Sequence, residues 1–503
     1  MNDLMEKFCF WHHAKSAKFA KFLSGLRRLG EHCVRIKLAF ALLCVFSSVV
    51  ATATPRRLFD ETPAQKAERL SWWTHDRFGM FIHFGLYAIP ARGEWAKKIE
   101  TIPEAKYQEY FDSFNPDLFD AKAWAKSAKD AGMKYAVLTT KHHEGFCLWD
   151  SKFTDYKITN TAFKRDLVRE FVDAFRAEGL HVGFYYSLID WHHPDFTIDC
   201  KHPRRPKWAE EWGNFGDSDQ DYPELNKNRD MAKYRQYMKD QVHELLTNYG
   251  KIDILWMDFS YPGENGKGPE DWDSEGLLRL ARSLQPQIIV NNRMGLTDTA
   301  DGWDFVTPEQ FKVKHWPTVD GERVPWETCQ TLSGSWGYAR DEMTWKSAPE
   351  LIQLLVETVS KGGNLIMNVG PTARGKFDAR ALSRLDDYAK WMDVNSRSIY
   401  GCTEAPSEFV APANTLLTYN PDANRLYVHL LVYPGSRQAF PFANRVVCAR
   451  FLHDGSEIQL ETHGAEAAHV KTFYKSGNEG ESYFKLPALK PDVVIPVIEV
   501  MLK

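Results

Sequence analysis

Residues 252–258 read IDILWMD and residues 303–309 read WDFVTPE. Each is an apolar, strand-like run that closes on an acid, Asp258 in one and Glu309 in the other. Burying a carboxylate at the end of an apolar strand costs free energy, so such a position needs a reason. The same pattern recurs outward from these two runs. Strands are expected at 78–85, 135–142, 181–187, 252–259, 287–293, 304–309, 326–332 and 364–370. Amphipathic helical stretches lie between them. Strand–helix alternation predicts a parallel sheet, and eight strands predict closure into an α/β fold of the (β/α)8 type. In such a barrel the strand C-termini converge on one face, and chemistry is built there. Glu94, the His142–His143 pair, Asp258 and Glu309 all fall at or just beyond strand ends.

The helical stretches carry the matching period. Tyr234, Met238, Val242, Leu245 and Tyr249 share one helix face. Asp166 marks the acidic start of another helix, Pro349 sits near the start of a third, and 382–391 is the last barrel helix. The later repeats are less regular than the early ones, which leaves room for a distorted barrel. Two insertions, 194–226 and 312–325, follow strand ends and are expected as loops over the catalytic face. After Tyr400 short alternating runs separated by turn residues predict a C-terminal antiparallel β-sandwich. The expected organisation is a leader at 1–53, a catalytic barrel at 60–400 and the sandwich at 401–503.

The leader reads as an export signal. Lys15, Lys18, Lys21, Arg27, Arg28, Arg35 and Lys37 precede the apolar run LAFALLCVFSSVV, and Ala51-Thr52-Ala53 gives a small-x-small cleavage pattern. The apolar run is too short to span a bilayer comfortably. The stretch before Lys37 is longer than an ordinary basic region, so either translation starts further in or the signal is atypical. An exported protein in periplasm or medium, with no stable membrane anchor once the signal is removed, is the expectation. The 503 residues suit a barrel plus a second module. A net charge of −4 and a pI of about 6.5 give no polyelectrolyte footprint, so no nucleic-acid partner is expected. Three of the eight Cys lie in the leader and the rest are scattered, which predicts neither a disulfide framework nor a CxxC metal site. Seventeen Trp suit a protein that stacks on sugar rings, although a large aromatic core accounts for most of them equally well.

Several motifs carry chemistry, and each has a plain structural reading beside it. His83 lies in FGMFIHFG, with Gly93-Glu94-Trp95 close behind; a neutral His can donate to a hydroxyl oxygen, or simply be a satisfied structural residue. His142 and His143, in TTKHHEGF, can grip neighbouring hydroxyls or bind metal, yet no HExxH or similar spacing occurs, so no metal is expected. Asp258 can serve as a nucleophile or cap the next loop. Arg293, in NNR, offers a planar donor fork for a sugar or a carboxylate, or forms a structural ion pair. Glu309 has the setting of a general acid, a carboxylate near another carboxylate, and Glu327 in WET is its competitor. Paired carboxylates over a common pocket suit glycoside hydrolysis.

In order, FGMFIHFG, TTKHHEGFCLW, GFYYS, ILWMD, NNR, TPE and WETC resemble glycoside hydrolase family 29, the α-L-fucosidases, from about Leu70 to Tyr400. The resemblance implies a retaining two-step hydrolysis of terminal fucose with no cofactor and a fucosylated oligosaccharide or glycoconjugate as substrate. It implies Asp258 as nucleophile, Glu309 (alternatively Glu327) as acid/base, and a substrate shell of His83, Glu94, Trp95, His142, His143, Tyr185, Trp256 and Arg293. The alternatives are an exo-glycosidase for α-L-galactosides on the same barrel, a carbohydrate-binding protein without turnover, and a metallohydrolase using His142, His143 and Asp258. Linkage preference and oligomeric state are not encoded in any pattern.

Overall fold

The apolar runs form one parallel sheet in the computed structural model, which describes residues 56–204, 222–263, 266–462 and 482–503. The expected leader and the centre of the 194–226 insertion lie outside the described residues. The strands in chain order are β1 (Phe78–Ile82), β2 (Tyr135–Lys141), β3 (His181–Ser187), β4 (Ile254–Asp258) and β5 (Ile289–Val290). A two-stranded hairpin follows in the 312–325 insertion, β6 (Thr318–Val319) with β7 (Glu322–Arg323), then β8 (Glu327–Thr331) and β9 (Asn364–Val369). The large sheet has seven strands in the order β5-β4-β3-β2-β1-β9-β8, every pairing parallel.

The eighth strand, expected at 304–309, does not form a ladder. Single parallel bridges, Asn291 to Phe305, Val306 to Trp326 and Glu309 to Cys329, carry the ring across from β5 to β8 instead. Two local facts explain the lapse. Pro308 has no N–H to give. The Asp304 carboxylate takes the Val290 N–H at 2.7 Å, a donor that a regular ladder would use. Asp304 is fully buried between Arg69 at 2.7 Å and Arg282 at 2.6 Å, and the guanidinium groups hold its carboxyl below the usual range against the push of burial.

Side-chain parity sorts the core into two layers. Phe81, Tyr135, Val137, Tyr185, Ile254, Trp256, Ile289, Phe305, Cys329 and Ile366 point into the barrel and pack together. Leu255, Met257, Val182, Phe184, Leu365 and Met367 point outward to the helices. The helix Pro63–Asp76 plugs the floor with Trp73, whose ring lies 4.8 Å from Phe305. The outer helices begin where local chemistry says they should. Asp166 accepts from the Arg169 N–H at the head of Leu167–Ala177, and a Ser347/Glu350 capping box heads Ala348–Val359. Tyr234, Met238, Val242 and Leu245 of Met231–Asn248 are all buried.

Beyond the last barrel helix, Ala379–Asn395, the chain builds β10 (Thr403–Glu404), β11 (Thr415–Asn420), β12 (Arg425–Leu430), β13 (Arg437–Ala439), β14 (Val446–Phe451), β15 (Leu460–Thr462), β16 (Ser482–Lys485) and β17 (Val497–Leu502). They form a five-stranded sheet, β10-β11-β12-β17-β14, and a three-stranded sheet, β13-β16-β15, whose paired strands all run antiparallel. Leu426, Val428, Ile498 and Val500 from the first meet Phe440, Ile458 and Phe484 beside the second in one apolar core. The five-stranded sheet also braces the barrel. Trp391 donates to the Ile495 carbonyl at 3.2 Å, and Arg397 pairs with the buried Glu499 at 2.6 Å. Cys147, Cys329, Cys402 and Cys448 are thiols. Among the described residues no helix is long and apolar enough to cross a membrane.

Candidate active site

Parity that puts Ile254 and Trp256 inside the barrel puts Asp258 at its mouth, because it lies two residues further along β4. Tyr185 from β3 donates its hydroxyl to Asp258 Oδ2 at 2.8 Å, and Arg293 Nη1 donates to Oδ1 at 3.0 Å. Burial pushes the Asp258 carboxyl up, while Arg293 and the Tyr185 hydroxyl pull it back toward the ionised form. The same guanidinium reaches the second acid, Nη2 donating to Glu309 Oε2 at 2.7 Å. Its third donor, Nε, is spent on Thr307 Oγ1 at 2.8 Å, which fixes the plane of the fork. One arginine thus holds both carboxylates, and pairing lifts its own pKa well above the ordinary value. The two acids differ in access: the Asp258 side chain is 10% exposed and the Glu309 side chain 41%.

Histidines line the opposite wall, and their tautomers follow from their partners. The Asn368 amide nitrogen donates to the Trp336 carbonyl at 2.6 Å, so its oxygen faces His83 Nδ1, also at 2.6 Å. His83 therefore carries its proton on Nδ1 and keeps Nε2 as an acceptor. The single proton of the Ser187 hydroxyl goes to the Ile189 carbonyl at 2.7 Å, so His143 Nδ1 must donate to Ser187 Oγ at 2.6 Å. That leaves His143 Nε2 bare, 4.0 Å from Asp258 Oδ2. Burial drives His83 down to about 3 and His142 and His143 well below their usual value. All three are neutral rings at working pH, suited to accepting hydroxyl protons. Nδ1 of His142 is buried with no partner among the described residues.

Glu94 is carried in by loop pairing. Gly93 N–H donates to the Tyr338 carbonyl at 3.2 Å, and the Gly337 N–H returns a bond to Glu94 Oε2 at 2.8 Å. A Cβ on Gly337 would lie 2.9 Å from the Glu94 backbone nitrogen, so this approach requires glycine. Burial raises the Glu94 carboxyl. Trp95 stands edge-on to His143, ring centroids 5.0 Å apart.

The pocket so formed is lined by His83, Glu94, Trp95, His142, His143, Tyr185, Trp256, Asp258, Arg293 and Glu309, every one expected from sequence. Glu327 is absent from the lining. It is 0% exposed, its carboxyl occupied by the Tyr135 hydroxyl at 2.6 Å and the Trp256 indole at 3.2 Å. Sequence reasoning missed Phe81, Phe259, Cys329 and Trp336, which also line the pocket. Phe81 and Cys329 lay inside quoted motifs and were recoverable from strand parity. Phe259 directly follows Asp258 and turns into the wall through a left-handed φ of 82°. Trp336 had no local signal, since only the pairing of its loop with 91–94 brings it in. Among the described residues no group of three or more His, Cys, Asp or Glu is arranged to hold a metal ion.

Comparison with known proteins gives a consistent result. The family model described as alpha-L-fucosidase matches residues 46–397. Human plasma alpha-L-fucosidase is 30% identical over 422 residues, 78% of this chain and 82% of that protein. Among solved structures, alpha-L-fucosidase isoenzyme 1 from Paenibacillus thiaminolyticus superposes with a TM-score of 0.77 at 43% identity, covering 87% of this chain and 99% of that one. A Bacteroides thetaiotaomicron GH29 alpha-L-fucosidase, trapped as a covalent intermediate with 2-fluoro-fucosyl fluoride in a glutamate-to-glutamine mutant, superposes with a TM-score of 0.70 at 28% identity, covering 90% and 98%.

Proposed function

The chain belongs to the alpha-L-fucosidase family of glycoside hydrolases, and from that premise we propose a retaining, exo-acting α-L-fucosidase that releases terminal α-linked L-fucose through a covalent fucosyl–Asp258 intermediate. In the first step Glu309 protonates the glycosidic oxygen while Asp258 attacks the anomeric carbon. The C–O bond to the leaving group breaks, an ester to Asp258 forms, and the aglycone departs as an alcohol. In the second step Glu309 takes a proton from water, the water oxygen attacks the same carbon, and Asp258 is released with the configuration retained. The neutral acceptors His83 and His143 and the buried Glu94 receive sugar hydroxyl protons. Arg293 keeps Asp258 ionised for attack.

The observation that carries this reading is the shared guanidinium: it ties a buried carboxylate to a solvent-open one across a single pocket. A nucleophile needs a rigid, dry seat, and an acid/base that handles water needs access. The trapped covalent intermediate of the Bacteroides relative agrees with a two-step route. Residues 60–400 would then be the catalytic unit and 401–503 a bracing sandwich. Export follows from the basic-apolar leader and suits a chain with a plasma relative.

The test is hydrolysis of an aryl α-L-fucoside by wild type and Asp258→Ala, with and without azide. Loss of turnover in the variant, partly restored by azide with β-fucosyl azide as product, is expected. Absence of turnover in the wild type would sink the assignment and leave α-L-galactosides to be tried.

A further inference from the structure

Below the pocket floor sits a buried carboxyl that the two-step mechanism does not use. Glu327 begins β8 and shares inward parity with Cys329, one layer nearer the barrel floor. Its two oxygens take two donors from across the barrel, Tyr135 of β2 at 2.6 Å and the Trp256 indole of β4 at 3.2 Å. A carboxyl in a sealed apolar core is costly, so an apolar residue would serve packing better. Its distinguishing act is to receive the indole N–H. A buried indole must satisfy its one donor, and the acceptor's position decides how the ring is turned.

The ring's orientation matters above. The Arg293 guanidinium lies 4.6 Å from the Trp256 ring centroid, a cation–π distance. The Tyr185 ring stacks on the same indole, centroids 5.8 Å apart at 22°. Arg293 and Tyr185 are the two groups that hydrogen-bond Asp258, and Arg293 also holds Glu309. We propose that Glu327 is a positioning residue: by anchoring the Trp256 indole it sets the platform on which Arg293 and Tyr185 rest, and through them the poise of both carboxylates. This rests on the reading of Asp258 and Glu309 as the reacting pair. Burial pushes the Glu327 carboxyl up to about 7, and an amide in its place keeps an acceptor for the indole while giving up the one that Tyr135 uses.

The experiment compares Glu327→Gln, Glu327→Leu, Trp256→Phe and the double variant Glu327→Leu/Trp256→Phe with Glu309→Gln, in the full chain on one aryl α-L-fucoside. A glutamine carbonyl can accept the indole N–H while its amide donates to the Tyr135 oxygen, so Glu327→Gln keeps kcat within about threefold of wild type. Glu327→Leu fills the volume but frees the indole, and kcat falls roughly 10–100-fold with a smaller change in KM. Trp256→Phe removes the donor and lowers kcat similarly, and the double variant loses no more than the worse single change, since both break one link. Additive losses, or wild-type kcat in Glu327→Leu, would overturn the positioning role and leave the Asp258–Glu309 reading intact. Collapse of Glu327→Gln with azide rescue, beside an active Glu309→Gln, would instead make Glu327 the acid/base and overturn both. If Glu327→Leu does not fold, Trp256→Phe with the Gln variant still decides.

Discussion

The barrel has two unlike arcs. From β1 to β4 the ladders run on from strand to strand: β2 pairs with β3 from Tyr135 to Lys141, with one register shift between Thr139 and Lys141, and β3 pairs with β4 from Gly183 to Ser187. From β5 to β8 the ladder lapses into single bridges, and side chains stand in for backbone bonds. The continuous arc carries Asp258, Tyr185 and the histidines, groups that must not move. The interrupted arc carries Arg293 and Glu309. A backbone held at a few points can present a side chain to solvent, and Glu309 is about four times as exposed as Asp258, 41% against 10%. Under the proposed mechanism, the difference places the covalent step on the regular arc and the proton step on the irregular one.

Two experiments strike the interrupted arc. Glu309→Gln should show the largest effect. If this arc performs acid/base chemistry, turnover of a substrate with a poor leaving group falls ~10²–10⁴-fold, because protonation of the leaving oxygen is lost. An activated aryl fucoside loses less in its first step, and azide then captures the fucosyl-enzyme to give the α-azide. That product is the anomer opposite to the one from Asp258→Ala, so the two arcs are told apart in a single NMR spectrum. A Glu309→Gln enzyme with equal losses on both substrates and no azide product would end the division of labour. Next comes Asp304→Ala, which probes what replaces the missing ladder. It strips Arg282 of its carboxylate, leaves the buried Arg69 with Glu61 alone, and takes the acceptor from the Val290 N–H. Breaking a buried ion pair on one side costs ~3–5 kcal/mol. A fall of that size in unfolding free energy, read from urea denaturation, would show that this carboxylate closes the ring. An unchanged urea midpoint would mean that the single bridges close it unaided.

The same contrast explains what could be read in advance. The arc from β1 to β4 was legible because period-two parity and apolar runs are local signals, and they place Trp256 and Asp258 inside without tertiary knowledge. The segment 304–309 reads as a strand even with Pro308 in it. What overrode its apolar alternation was Asp304, held by Arg69 from 235 residues away. Long-range charge capture leaves no periodic trace. Glu309 and Glu327 could not be separated for a similar reason: both end or begin strand-like runs, and only the donors Tyr135 and Trp256 place one of them in the sealed core. Trp336 was invisible because its place depends on the pairing of two loops.

The smallest expected effect tests the continuous arc itself. If that arc works by rigid presentation, then a group touching no substrate should still tune binding. Ser187 is such a group: it ends β3, is fully buried, and takes the His143 Nδ1 proton while giving its own to Ile189. Ser187→Ala leaves an imidazole N–H without an acceptor, which costs ~1–3 kcal/mol when buried. The ring can recover part of that by moving its proton to Nε2. It would then aim a donor at Asp258, now 4.0 Å away, and give up the acceptor that the proposed mechanism offers to a sugar hydroxyl. Affinity for fucose and for iminosugar inhibitors should drop about 5–10-fold, equivalent to ~1–1.4 kcal/mol. The loss should appear chiefly in KM, because Asp258 keeps Tyr185 and Arg293. A Ser187→Ala enzyme that is less stable yet binds inhibitor as tightly as wild type would show that the histidine is held by packing alone, and the continuous arc would owe its precision to the ladder and not to the hydrogen bonds behind its side chains.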